Sequence, residues 1–238
     1  MQNRGFLFVI IFLFAGGIAL ATPPEGAGYS WKLVFEDNFD GTTLNSGNWS
    51  KGYPWGNGHT HNHDAYCIDS QVAVSGGYLN ITAAYSPNYA GTGYNYISGV
   101  ITSSGKKHFT RGYLEGSFKM AGAIGSWPAF WTLQSGWPPE IDILENPCWS
   151  SDVVNTYHFY YHYTGPSGDA SFGSTKTGTN LSTTYHTYGC EWTANQMAWY
   201  YDNSQNGRWT SSYISQASNM YLLINLAVGG FLLSGPDG

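Results

Sequence analysis

Apolar and polar residues alternate in short runs along most of this chain, with Gly, Asn, Ser and Pro between the runs. Tyr78-Leu79-Asn80-Ile81-Thr82-Ala83 puts Leu79 and Ile81 on one face and Asn80 and Thr82 on the other, the period of a half-buried strand. Residues 112–120 alternate in the same way, as do 188–192 and 197–202, which a turn around Thr193 to Asn195 joins. The run 221–228 is nearly all apolar, as expected of a strand buried on both faces. Beyond the N-terminal segment no window has the helical period. Many short strands with turn signals between them predict an all-β chain, a single-domain β-sandwich or jelly roll.

The N-terminus has a different pattern. Arg4 precedes an apolar run from Phe6 to Phe14, and the segment closes with Ala19-Leu20-Ala21. A basic start, a short apolar core and an A-x-A ending are the parts of a secretory signal, with cleavage expected after Ala21. As a membrane anchor the stretch would be short, and Gly16 and Gly17 weaken it. Residues 22–30 read as a Pro/Gly-rich leader and 31–238 as one domain, with no linker, repeat or charge run.

Composition narrows the function. Charged residues make up 10% of the chain and aromatics 17%, with 10 Trp and 19 Tyr. An average soluble domain is about 25% charged. A net charge of -6 offers phosphates no basic footprint, so nucleic acid is not an expected partner. Flat rings with hydroxyls and amides around them suit carbohydrate. The three cysteines, Cys67, Cys148 and Cys190, are an odd set that leaves at least one thiol outside an intramolecular disulfide. Sequons at Asn48, Asn80 and Asn180 are acceptors only in a glycosylating host.

The most informative stretch is Trp137-Pro138-Pro139-Glu140-Ile141-Asp142-Ile143-Leu144-Glu145-Asn146. On a strand, Glu140 and Asp142 share a face, whereas Glu145 has the wrong parity. One extra residue, a bulge near Ile143-Leu144, would swing Glu145 back beside the other two. Glycoside hydrolysis needs one carboxylate at the anomeric carbon and one carboxylic acid at the leaving oxygen, about 5–5.5 Å apart in a retaining enzyme. Crowding raises the proton affinity of at least one member, as a general acid near neutral pH requires.

The run Glu140-Ile141-Asp142-Ile143-Leu144-Glu145 resembles the E-x-D-x-x-E signature of family 16 glycoside hydrolases, close to their laminarinase-like branch. Trp127-Pro128-Ala129-Phe130-Trp131 is a near-literal family string. The segments 31–41, 98–103, 112–120, 186–192 and 225–230 are similar to further family landmarks. The resemblance implies a concanavalin A-like jelly roll, with Glu140 as nucleophile, Glu145 as general acid/base and Asp142 assisting Glu140. It implies retaining endo-hydrolysis of a β-linked glucan through a covalent glycosyl-enzyme, with laminarin-type β-1,3-glucan expected and mixed-linkage β-1,3-1,4-glucan second. Agarases, carrageenases and transglycosylases share the scaffold, and a lectin-like glucan-binding protein is the reading outside enzymes.

Trp127 and Trp131 are four apart and share a strand face, which makes each a sugar platform or a core residue; Trp137 has similar standing. His162 fits a position near the nucleophile better than His158 does. His59, His61 and His63 alternate, a metal site or a loop rim. Val100 stands where many laminarinase-like members have Arg, and Gly58-His59 where they have Asn-Glu. The chain stops at Gly238, short of the family's last strand, from which some relatives supply an acidic ligand to a structural calcium ion. No cofactor or metal is expected in the chemistry. The remaining expectations are a secreted monomer with a polysaccharide substrate and no membrane attachment once the signal is cleaved.

Overall fold

The computed structural model describes residues 6–11, 23–24, 30–56, 64–151 and 154–229. The strands in chain order are β1 (Phe6–Ile11), β2 (Trp31–Asp37), β3 (Ser50–Lys51), β4 (Ala65–Cys67), β5 (Val72–Ser75) and β6 (Tyr78–Ile81). There follow β7 (Ala84–Tyr85), β8 (Tyr96–Ser98), β9 (Val100–Thr102), β10 (Gly112–Phe118), β11 (Ser126–Gln134) and β12 (Gly136–Glu145). The last six are β13 (Thr156–Gly165), β14 (Gly168–Thr177), β15 (His186–Trp192), β16 (Gln196–Tyr201), β17 (Ser204–Thr210) and β18 (Tyr221–Val228). Among the described residues the only helical pieces are short 3-10 turns. The all-β reading of the alternating runs therefore holds.

A six-stranded sheet in the order β17-β16-β15-β10-β1-β2 and a seven-stranded sheet in the order β14-β13-β12-β11-β18-β9-β3 form the sandwich. Every second residue of each sheet enters one common core. From the six-stranded sheet come Leu114, Phe118, Tyr188, Cys190, Trp192, Met197 and Trp199, and from the other Phe130, Ile141, Leu144, Tyr157, Phe159, Leu222 and Ile224. All eight residues of β18 are buried, because its second face lies under further structure instead of open solvent. Cys67, Cys148 and Cys190 are all buried free thiols.

Phe6–Ile11, read from sequence as the apolar core of a secretory signal, pairs in parallel with both β2 and β10. The histidine row at 59–63 and the chain end at 230–238 lie outside the described residues.

Two small sheets complete the architecture. The β5–β6 hairpin closes one flank, with Val72, Val74 and Leu79 in the core. The sheet β4-β8-β7 is tied to β18 by Asp64 N to Val228 O, at 2.5 Å, and by the Ser98 hydroxyl donating to the Leu226 carbonyl.

Candidate active site

The carboxylates are carried by β12, a strand flanked on both sides by ladder partners. Against β11, Glu140 lies opposite Leu133, Asp142 opposite Trp131 and Glu145 opposite Ala129. Leu144 pairs with Phe130 and Asp142 with the next residue, Trp131, so Ile143 has no partner on β11. The register against β13 likewise breaks between Asp142 and Glu145. Ile143 is thus the extra residue of a bulge. Both Ile143 and Leu144 pack into the core, so two consecutive side chains go inward and the parity of Glu145 is reversed. Glu140, Asp142 and Glu145 then line up on the face turned away from the core.

The bulge is also anchored from behind. The indole Nε1 of Trp199 crosses the core from β16 and donates to the Asp142 carbonyl at 2.9 Å. A carbonyl beside a bulge has no regular ladder partner, and leaving it unpaired in a dry core would cost about 1–3 kcal/mol.

The neighbouring strands surround the acids with donors. His162 of β13 faces Glu140 in the register, and its Nε2 lies 3.1 Å from Asp142 Oδ2. His158 lies opposite Glu145, and burial lowers its proton affinity. Trp127 donates from Nε1 to Glu145 Oε1 at 3.1 Å. Trp137 bonds Glu140 through its side chain, and its ring centroid is 6.0 Å from that of His162. Trp131 donates to Asn225 Oδ1 at 2.7 Å and packs on Tyr53, Val100, Tyr221 and Leu223.

Electrostatics follow from this crowding. Burial raises Glu145 to about 8, helped by the charge of Asp142 and opposed by His162 and the Trp127 bond. Asp142 is raised to about 8 by burial. Burial also pushes Glu140 well above the usual carboxylate range, with the charges of Asp142 and Glu145 adding and His162 and Trp137 opposing. Three carboxylates in one desolvated row cannot all ionise, so protons are shared and the titration belongs to the group. Glu140, Asp142 and His162 each present one ligand atom, all within 4.8 Å of one another, so this donor set could also accept a metal ion.

The structure thus brings together Glu140, Asp142, Glu145, Trp127, Trp131, Trp137 and His162 on one side of the seven-stranded sheet. Their surroundings differ. Trp127 is mostly buried, edge-on to Glu145, whereas Trp137 is 52% exposed. Three neighbours were not singled out from sequence: Asn225 and Tyr221 on β18, and Trp55. The Trp55 ring stacks on Tyr53 at 4.9 Å and lies 6.4 Å from Trp131. Trp55 sits in an irregular Tyr-Pro-Trp-Gly loop where no periodicity could mark its direction. Asn225 gave a signal, a lone amide in an otherwise apolar strand.

Comparison with known proteins agrees with this geometry. A family model described as glycosyl hydrolases family 16 matches residues 59–227. Over 172 residues the chain is 33% identical to the endo-1,3-1,4-beta-glycanase ExsH of Rhizobium meliloti (strain 1021), covering 70% of this chain and 36% of that protein. EglC, a second endo-1,3-1,4-beta-glycanase from the same bacterium, is also covered over 36% of its length, so the chain spans about a third of these relatives. The beta-glucanase of Rhodothermus marinus is 29% identical over 97% of this chain and 86% of its own length. Among solved structures, SCLam, a non-specific endo-beta-1,3(4)-glucanase from family GH16, superposes with a TM-score of 0.72 at 25% identity, covering 82% of this chain and 80% of its own. The matched model covers most of the chain, including every strand that carries the site, and the chain belongs to glycosyl hydrolase family 16.

Proposed function

We propose that the protein is a secreted endo-glycosidase that hydrolyses β-1,3-glucan, and mixed-linkage 1,3-1,4-glucan as a second substrate, with retention at the anomeric carbon. One observation carries the reading: the Ile143 bulge puts Glu140, Asp142 and Glu145 on one face, with His162 against Asp142 and Trp127 against Glu145. Relatives named as β-glucanases and endo-1,3-1,4-glycanases support the substrate class.

In this mechanism Glu145 enters protonated and donates to the leaving glycosidic oxygen. Glu140 attacks the anomeric carbon and forms the glycosyl-enzyme. The resulting Glu145 carboxylate then takes a proton from the incoming water, which displaces Glu140. Asp142, set between them, discourages ionisation of Glu145, while the charge of His162 and the Trp137 bond favour the Glu140 carboxylate that attacks, and the contact of Asp142 with His162 fixes its own orientation. The exposed Trp137 ring offers a stacking surface at the edge of the row. Every step is carried by carboxylates, so neither a metal nor a cofactor is required.

Reducing-sugar release from laminarin, mixed-linkage glucan and agarose tests the substrate, and the anomer first released tests retention. Release from agarose alone would move the substrate to galactan and keep the mechanism. Glu140→Gln should abolish turnover and keep binding; an unchanged hydrolytic rate would refute the nucleophile assignment. Culture-fraction assays of the natural host test export.

A further inference from the structure

Glu140, Asp142 and His162 are arranged for something that hydrolysis does not ask of them. One oxygen from each carboxylate and one imidazole nitrogen lie within 4.8 Å of one another. Among the described residues no other three His, Cys, Asp or Glu side chains bring ligand atoms this close. Glu145 is outside the set and is held instead by the Trp127 indole. Nε2 of His162 is 3.1 Å from Asp142 Oδ2, yet the pair lacks the alignment of a hydrogen bond, and Oδ2 is buried with no donor to it. A ring nitrogen and a carboxylate oxygen that sit side by side without aiming at each other are placed as two ligands of one ion.

Size, charge and ligand type all select the ion. Zinc bonds of about 2.0–2.2 Å put tetrahedral ligand atoms about 3.3–3.6 Å apart. The His162–Asp142 pair is already near that spacing, and rotation of the Glu140 side chain, the longer of the two acids, closes the rest. Two carboxylates in a desolvated row repel each other, and a divalent cation between them relieves that repulsion. Mg2+ and Ca2+ call for about six or more oxygen ligands, whereas one imidazole with two carboxylates suits zinc and its transition-metal neighbours. The His162 side chain is 30% exposed, so water can reach a fourth position.

We propose that Glu140, Asp142 and His162 form an inhibitory site for a divalent transition-metal ion of the zinc class. The ion engages the Glu140 oxygen whose lone pair would attack the anomeric carbon, and it stands on the face that a sugar ring must approach. The concentration of free ion then sets the fraction of enzyme that turns over. Inhibition rests on the reading above that Glu140 is the nucleophile, whereas binding of the ion stands on the ligand geometry by itself.

The test is calorimetric titration of the chelator-treated full chain with Zn2+, with and without a β-glucan oligosaccharide, beside Zn2+ inhibition of glucan hydrolysis. The parent should show a binding event that the oligosaccharide weakens, and inhibition should be competitive with glucan and reversed by chelator. Mg2+ and Ca2+ should neither inhibit nor displace the zinc. His162→Gln should weaken the oligosaccharide-sensitive event by at least about tenfold, and Glu140→Gln should weaken it as well. A variant carrying His59→Ala, His61→Ala and His63→Ala should keep it, which separates this site from the histidine row. No such event in the parent, its survival in both His162→Gln and Glu140→Gln, or its loss in the three-histidine variant would overturn the site. Melting curves show which variants are folded, and Glu140→Gln, nearly equal in size to the parent residue, keeps the test decisive if His162→Gln is not. Zinc bound with no loss of hydrolysis would overturn the inhibitory role. Failure of the catalytic reading would appear separately, as hydrolysis that survives Glu140→Gln, and the titrations would still decide the site.

Discussion

Trp127→Phe is the sharpest probe of how the fold tunes the proposed acid. The substitution keeps an aromatic ring beside Ala227 and removes one donor, the Nε1–H that reaches Glu145 Oε1 at 3.1 Å. That bond favours the ionised carboxylate, so its loss raises proton affinity. A hydrogen bond to a charged acceptor contributes about 1.5–3 kcal/mol, and one pKa unit corresponds to about 1.4 kcal/mol. The site-level change is therefore about one to two units upward. Protons are shared along the row, so the observed macroscopic shift should be nearer one unit. Glu145 starts from about 8, and the general acid must be protonated, so kcat/KM of the parent should fall above about pH 8. In Trp127→Phe the basic limb should move to higher pH by about one unit, with a slower first step because Glu145 gives up its proton less readily to the leaving oxygen. The assay is a pH profile of kcat/KM on the best polymer, with melting curves to show that both proteins stay folded. A basic limb that stays in place, or moves to lower pH, would refute the assignment of this bond to the ionised form of the acid.

Three further outcomes are expected. Glu145 binds protons more tightly in the folded state, at about 8, than at its ordinary value of 4.5, so folding should lose stability as pH rises from about 4.5 through about 8; Glu145→Gln should flatten that dependence and raise the melting temperature at pH 8, and a melting temperature rising over this interval in the parent by way of Glu145 would contradict it. Trp199→Phe removes the donor to the Asp142 carbonyl, and the stranded carbonyl should cost about 1–3 kcal/mol in denaturant unfolding, together with lost activity as the bulge loosens; full activity would show that the bulge holds its shape without the indole. Cleavage after Ala21, the event expected for export, removes β1 and with it the parallel pairing to β2 and β10, so the chain starting at Thr22 should melt below the chain starting at Met1. Equal melting temperatures would show that Phe6–Ile11 adds nothing to the sheet.

Strand periodicity was legible because each alternating run buries one face in the same core. Tyr221–Val228 forms β18 over the same residues that its unbroken apolar run marks. The N-terminal run fits the apolar core of a secretory signal, and in the structure Phe6–Ile11 also pairs in parallel with β2 and β10; an apolar run of that length suits either use, and its pattern alone does not separate them.

The amino-acid sequence by itself determined the all-β class, the family and the three acids, and it even required a bulge, since parity on a regular strand puts Glu145 on the wrong side. These are local properties, set by side-chain period and spacing. Tertiary structure alone decided which groups the acids meet. Trp127 becomes the donor to Glu145, and Trp199 on the opposite sheet braces Asp142 from 57 positions away in the chain. His162, already preferred to His158 from the family resemblance, faces Glu140 and lies against Asp142, while the same register across β12 and β13 sets His158 opposite Glu145, a placement only the structure gave. Contacts between strands depend on register and sheet order, which long-range packing sets and no single run of residues encodes.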